Sequence, residues 1–290
     1  MIAIEDSGHT DMEHGLKAAA LVRLKAAELC PGEGLTCFPY HGIRSYLRLF
    51  GMVSGPQRDA AFFLDALAAA AARTKPEQPR ILISGSADDS IYMLVRQAVP
   101  DAAITVLDRC ELPLYMCRRA AEVNSETVET IASDILDYTP SDDFHVICSD
   151  SFIAQFPTDR HGALIDIWRR ALCPGGAVVT TTRIDPHTPP DGLIRSPTQI
   201  ATFRDQILDR ARPWRHMLDI SLDEIAVLAE RHGKLNRTHN LRSKKELTDL
   251  FENGGFRIER LDLTERSRSS RAISERDQSS FYADIVAVRL

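Results

Sequence analysis

The chain has no apolar run approaching the ~20 residues that a bilayer-spanning helix needs. No membrane partner is therefore expected of its 290 residues. It has no basic stretch at its start, where Glu5, Asp6, Asp11 and Glu13 stand instead. A secretory leader is not expected, and the location implied is cytoplasmic. It lacks an excess of positive charge. The formal net charge is −6, whereas nucleic-acid binders usually carry a basic footprint. No nucleic-acid partner is expected, although a local basic patch stays open. The six cysteines, Cys30, Cys37, Cys110, Cys117, Cys148 and Cys173, include no Cys-x-x-Cys pair and read as reduced core thiols. His161, His187, His216, His232 and His239 show no ligand spacing, and no His-Glu-x-x-His occurs. No metal is expected. No internal repeat is visible. What is present suits a water-soluble globular protein, with 44% hydrophobic and 26% charged residues. The length fits one large domain, or one domain with an appendage.

The pattern changes once along the chain. Residues 1–14 are polar and read as frayed, and 15–29 carry apolar positions at helical spacing that stop at Pro31-Gly32-Glu33-Gly34. An aromatic and basic piece follows, from Phe38 to Phe50, and then an alanine-rich helix over 59–72. Thr74 to Pro79 is a polar, proline-bearing linker. A boundary there divides a helical cap, 1–79, from a domain over 80–290. Beyond it, short strands at 81–84, 103–107, 128–131, 144–148 and 177–181 alternate with helices at 90–99, 112–121 and 158–171. Helices at 198–210, 222–232 and 243–252 lead to two last strands, 256–261 and 281–288. Ser243 and Glu246 form a capping-box pattern, and residues 267–280, with the basic run from Arg266 to Arg276, read as a solvated loop. Alternation of this kind predicts an α/β fold with βαβ units on a mostly parallel sheet.

Right-handed crossovers bring the ends of all parallel strands to one edge. Gly85, Asp108, Asp134 and Asp150 each stand just after a strand, so they are expected to cluster there. The turn Ser84-Gly85-Ser86-Ala87-Asp88-Asp89 reads as strand, turn, helix, the place where a doubly wound sheet receives a nucleotide-like ligand. It has one glycine where a dinucleotide fingerprint has three, and Asp88 and Asp89 would repel a pyrophosphate. They also suit the start of a helix as dipole-favoured charges. His145, in the fourth strand, reads as a satisfied core histidine.

These residues, in this order, resemble the class I S-adenosylmethionine-dependent methyltransferases over roughly Arg80 to Leu290. Gly85-Ser86-Ala87 resembles the glycine loop against the methionine part of the cofactor. Asp108, 23 residues on, resembles the acid that holds the ribose hydroxyls, with Arg109 beside it. Asp134-Ile135 resembles the pair beside the adenine. Ser149-Asp150-Ser151 ends the fourth strand, where the family meets methionine and substrate. Leu172-Cys173-Pro174-Gly175-Gly176 resembles the family's turn before strand five. The resemblance implies a Rossmann-like sheet with one antiparallel strand near the C-terminus, and S-adenosylmethionine as cofactor. Its cofactor residues would be Gly85, Ser86, Ala87, Asp108, Arg109, Asp134, Ile135, Ser149 and Asp150. Two departures stand out. Ile83 occupies the place where the family often has an acid, and Ala87 and Asp89 replace the second and third glycines.

The helical cap is the candidate substrate lid. Arginine recognises carboxylates bidentately, and aromatic faces contact sulfonium or ammonium groups. The expected substrate contacts are Tyr40, Arg44, Tyr46 and Arg48, with Ser151 and Arg183 from the sheet domain. Tyr40, His41 and Asp150 are the catalytic candidates. Tyr40-His41-x-x-Arg44-Ser45-Tyr46 and the acidic turn are similar to bacterial enzymes acting on amino-acid-like substrates, such as methionine S-methyltransferases. The expected activity is methyl transfer to a small metabolite. Three alternatives stay open. The fold can cyclise the aminobutyrate chain of S-adenosylmethionine to an azetidine amino acid, releasing methylthioadenosine; it can serve as a non-catalytic cofactor- or partner-binding module; an NAD-dependent oxidoreductase is disfavoured by the acidic turn. A homodimer is compatible with each.

Overall fold

A computed structural model describes residues 3–30, 37–141, 143–266 and 280–290, without the side chains of 3–10 and 266. The described helices are α1 (Ala3–Leu29), α2 (Cys37–Leu49), α3 (Ala60–Arg73), α4 (Ser90–Ala98), α5 (Glu111–Val123), α6 (His161–Ala171), α7 (Pro197–Ala211), α8 (Leu222–Leu235) and α9 (Lys244–Asn253). The strands are β1 (Arg80–Ser84), β2 (Ala103–Asp108), β3 (Glu129–Ala132), β4 (Phe144–Asp150), β5 (Leu172–Ile184), β6 (Phe256–Arg266) and β7 (Ser280–Arg289). The chain divides into two units, one of Pro56–Leu193, Thr238–Arg266 and Gln278–Leu290, the other of Met1–Gly55, Ile194–Arg237 and Ser267–Asp277.

The first unit is a seven-stranded sheet in the order β3-β2-β1-β4-β5-β7-β6. β1 to β5 pair in parallel, and β7 runs antiparallel between β5 and β6. This is the expected α/β architecture with its single antiparallel strand. The inner strands β1, β2 and β4 are buried on both faces because both faces are covered, as parallel sheets require. Ile81, Ile83, Val106, Val146 and Cys148 pack with α3, α4 and α5, while Leu82, Leu107, Ile147 and Val178 pack with α6 and α9. The two sets alternate with the period of two that a strand imposes.

Several expectations change. The boundary expected at residue 79 falls at 55/56 instead. α3 belongs with the sheet because Phe63 and Leu67, both fully buried, plug its core. The excursion 194–237, expected to lie in the sheet domain, belongs to the helical unit. Its stem is closed by a two-residue bridge, with Leu193 N donating to Thr238 O at 2.7 Å and Thr238 N to Leu193 O at 3.1 Å. The expected turn at Pro174-Gly175-Gly176 is an irregularity inside β5. Leu172 pairs with Phe144 and Ala177 with Val146, so five residues of β5 pass two of β4, and Gly175 takes φ +76°. The expected capping box at Ser243 is displaced by one residue. Ser243 Oγ accepts from Glu246 N at 3.0 Å, but Glu246 accepts from Arg242 N at 2.6 Å. Complete boxes stand at Ser196–Gln199 and Ser221–Glu224.

In the helical unit α1, α2, α7 and α8 enclose Leu16, Ile43, Leu47, Phe203, Ile207 and Ile225. α1 begins at Ala3, not at Gly15. Gly15 lies mid-helix, where a Cβ would stand 2.5 Å from Leu49 Cδ1, so its lack of a side chain admits α2. The expected helix stop at 31–34 and most of the expected loop at 267–280 lie outside the described residues. Among the described residues no helix is long and apolar enough to cross a membrane.

Candidate cofactor and active site

The parallel strands end along one edge of the sheet, and the expected acids are there. β1 stops at the fully buried Ser84. Three hydrogen bonds fix that end from behind: Trp168 Nε1 donates to Ser84 Oγ at 2.9 Å, Ser149 Oγ to Ser84 O at 2.9 Å, and Gly85 N to Leu107 O at 2.9 Å. The chain then reverses through Gly85 at φ +74°, a conformation that glycine alone adopts without strain. A Cβ at this position would lie 2.3 Å from the Phe152 ring, which crosses the turn. The turn runs into α4, whose first amide, Ser90 N, donates to Asp88 Oδ1 at 2.9 Å. Asp88 therefore has the helix-capping role weighed for it, while its charge remains at the edge.

Asp108 ties the first two turns together. Its Oδ2 accepts from Ser86 N at 2.9 Å and its Oδ1 from Cys110 N at 2.7 Å. Asp134 stands in the turn after β3, where its carboxylate accepts from Leu136 N at 2.9 Å beside the buried Ile135. After β4, Asp150 Oδ1 accepts from Thr181 Oγ1 at 2.6 Å and from Ser151 Oγ at 3.2 Å. Ser151 takes φ +53° and its amide donates to Thr181 O at 3.0 Å. The edge is electrically negative. Burial first, and then the charges of Asp89, Asp88 and Asp108, push the Cys117 thiol well above its usual range. The Cys148 thiol is raised by burial and by Asp150.

Of the expected cofactor residues, Gly85, Ser86, Ala87, Asp108, Asp134, Ile135, Ser149 and Asp150 share this edge, and Arg109 is exposed beside it. Arg183 is next along β5 from Thr181 and Thr182, ion-paired at 3.0 Å to the buried Asp185. Two contributors lie outside the expected set. Phe152 and Thr181 are legible in part, since Phe152 directly follows Asp150-Ser151, and Thr180-Thr181-Thr182 is a polar run in an apolar strand. His145 is satisfied, as expected, by accepting from Arg80 N at 3.0 Å, but it is half-buried at the opposite edge. Burial and Arg80 lower its pKa.

In the helical unit the expected lid residues part company. Arg44 lies 5.1 Å over the Tyr40 ring, and Tyr40 lies 5.7 Å from the His232 ring. Burial, then Arg195 and Arg44, push His232 down to about 3. Arg48 is half-buried. Tyr46 is in the core, its hydroxyl donating to Asp219, which Arg23 also holds at 2.6 Å. Its expected substrate contact is therefore replaced by a structural bond. His41 is buried beside two thiols.

No protein-family profile matches the chain, and no curated protein sequence does. Solved structures do. A Haemonchus contortus phosphoethanolamine N-methyltransferase 2, in complex with phosphomonomethylethanolamine and S-adenosylhomocysteine, matches at 14% identity and TM-score 0.51 over 86% of this chain and 58% of its own. The [4+2]-cyclase SpnF matches at 13% and 0.50, over 82% and 83%. A Galdieria sulphuraria protein named for sarcosine and dimethylglycine methyl transfer matches at 12% and 0.50, over 80% and 86%. At such identities the likeness speaks for the fold, which is that of the class I S-adenosylmethionine-dependent methyltransferases.

Proposed function

We propose that the chain is an S-adenosylmethionine-dependent methyltransferase acting on a small metabolite and, more finely, on an amino-acid-like acceptor such as methionine, methylated at sulfur. The observation that carries the reading is Asp108 at the end of β2, joined through its two oxygens to the turns after β1 and β2. A carboxylate offers about four lone-pair sites. A carboxylate at the end of this strand can accept the two hydroxyls of a ribose in charge-assisted hydrogen bonds. Ile135 supplies an apolar wall beside Asp134 for a base. The acids that raise Cys117 favour a cation. This donor set fits the cofactor.

When bound, S-adenosylmethionine supplies an electrophilic methyl on a sulfonium. The chain's part is to hold and align. Gly85, Ser86 and Ala87 are proposed at its methionine end, Asp108 and Arg109 at the ribose, Asp134 and Ile135 at the adenine, and Ser149 and Asp150 nearest the reacting groups. Ser151 and Arg183 are the proposed acceptor contacts in the sheet unit. Alignment and exclusion of water provide the rate. A thioether acceptor has no proton to lose and needs no base. For an oxygen or nitrogen acceptor, Asp150 is the best of the catalytic candidates, because Thr181 and Ser151 orient its carboxylate.

A second reading has its own observation. Asp88 and Asp89 stand where the fold's glycine loop would continue, so the amino end of the ligand meets a different turn. That favours a use of S-adenosylmethionine as substrate, its aminobutyrate chain closing to a four-membered ring as methylthioadenosine leaves. Mass analysis of products separates the two. S-adenosylhomocysteine formed only with an added acceptor such as methionine is the expected result. Methylthioadenosine formed without any acceptor would replace the first reading by the second, and neither product across a metabolite panel would leave a binding module.

A further inference from the structure

α1 ends at Leu29 and α2 begins at Cys37. The cysteines that flank this join, Cys30 and Cys37, bring their thiols to one imidazole nitrogen in the helical unit. Cys37 Sγ lies 3.3 Å and Cys30 Sγ 3.5 Å from His41 Nδ1, and the three atoms lie within 4.8 Å of one another. Cys37 and His41 are four residues apart on α2, so they share one helix face. Neither cysteine is in a disulfide.

Two thiols and an imidazole nitrogen converging on one point form the donor set that a thiolate-preferring ion takes. In a tetrahedral zinc site, ligand distances of about 2.3 Å to sulfur and about 2.05 Å to nitrogen place sulfur and nitrogen about 3.6 Å apart. The two separations here come within a few tenths of an ångström of that value. We propose that Cys30, Cys37 and His41 form a binding site for a thiolate-preferring ion, Zn²⁺ being the ion to test. The absence of a metal motif gave no warning because six residues separate the cysteines, outside the usual ligand-pair spacing of about two to four. The fourth position of the tetrahedron falls to water or a further thiolate.

An ion held here would clip the end of α1 to the first turn of α2. Its binding free energy would be folding free energy, and it would fix the turn that carries Tyr40 ahead of Arg44.

The test is a titration of the full-length, reduced, metal-free protein with Co²⁺ and then Zn²⁺. One equivalent of Co²⁺ is expected to give thiolate charge-transfer absorption and the visible bands of tetrahedral cobalt. Zn²⁺ should then bleach both and raise the melting temperature. Cys37→Ser and His41→Ala are each expected to weaken Zn²⁺ binding by about a hundredfold or more. Should either variant fail to fold, X-ray absorption on the wild-type zinc form decides, with at least two sulfurs and one nitrogen expected. No thiolate absorption with Co²⁺, an all-oxygen shell, or unchanged affinity in both folded variants would overturn the site.

Discussion

At the end of β2 the Asp108 carboxylate accepts two backbone amides, so removing it has a structural and a ligand consequence that differ in size. The amides of the half-buried Ser86 and the buried Cys110 lose an acceptor, which costs about 1–3 kcal/mol of stability. The ribose hydroxyls lose charged acceptors worth about 1.5–3 kcal/mol each. Asp108→Ala is therefore expected to weaken S-adenosylhomocysteine binding by about a hundredfold or more, read by calorimetry, with Asp108→Asn intermediate and the fold retained in both by circular dichroism. Equal affinity in wild type and Asp108→Ala would take the ribose away from this residue. Single residues at the strand ends were legible because a strand's stop and the next small or acidic residue are local features. The contacts of Phe152 over Gly85 and of Thr181 with Asp150 are not, although the residues themselves are legible in part, since each contact depends on how strands lie side by side. Tyr46 shows the same limit from the other direction. Among basic and aromatic neighbours it reads as a ligand contact, yet its partner Asp219 is 173 residues away.

Among the elements, α8 carries a group whose titration reports on the helical unit. His232 is buried against the Tyr40 and Phe203 rings, at 5.7 and 5.8 Å. Desolvation, Arg195 and Arg44 hold its pKa down at about 3. In the unfolded chain a histidine titrates near 6.5. Between these values the unfolded chain binds a proton that the folded chain does not. The stabilising contribution is thus complete above about pH 6.5 and is lost as pH falls toward about 3, by up to about 1.4 kcal/mol for each pH unit. Urea melts from about pH 7 to about pH 5 should show wild-type stability falling with acid and His232→Gln falling less steeply. Parallel slopes would mean that His232 takes up its proton equally in the folded and the unfolded chain. The elements themselves were largely legible, because period and punctuation are carried by neighbouring residues. An alanine-rich pattern says that α3 packs, not on what, and its packing on the sheet follows from tertiary contacts alone. The Pro174-Gly175-Gly176 turn was seen, but that β5 continues through it depends on pairing with Phe144.

For the sheet unit as a whole, direction is the main consequence of sequence. Five parallel strands begin at one edge and end at the other, so turns distant in the chain become neighbours. The beginning edge holds Arg80, which pairs at 2.6 Å with Asp143, and His145. The ending edge holds Asp88, Asp89, Asp108, Asp134 and Asp150, three of which are felt together by Cys117. A cationic nucleoside ligand has a reason to choose the second edge and none to choose the first. Hydrogen exchange on the full chain turns this into a map. Saturating S-adenosylmethionine is expected to slow exchange in peptides covering 84–90, 108–112, 133–137 and 149–152, whose amides include Ser86, Cys110, Leu136 and Ser151. Peptides over 76–80 and 143–146, at the beginning edge, should exchange as they do without ligand. Protection confined to the beginning edge, or absent from all four turns, would leave Asp108, Asp134 and Asp150 as groups that only fix their own turns.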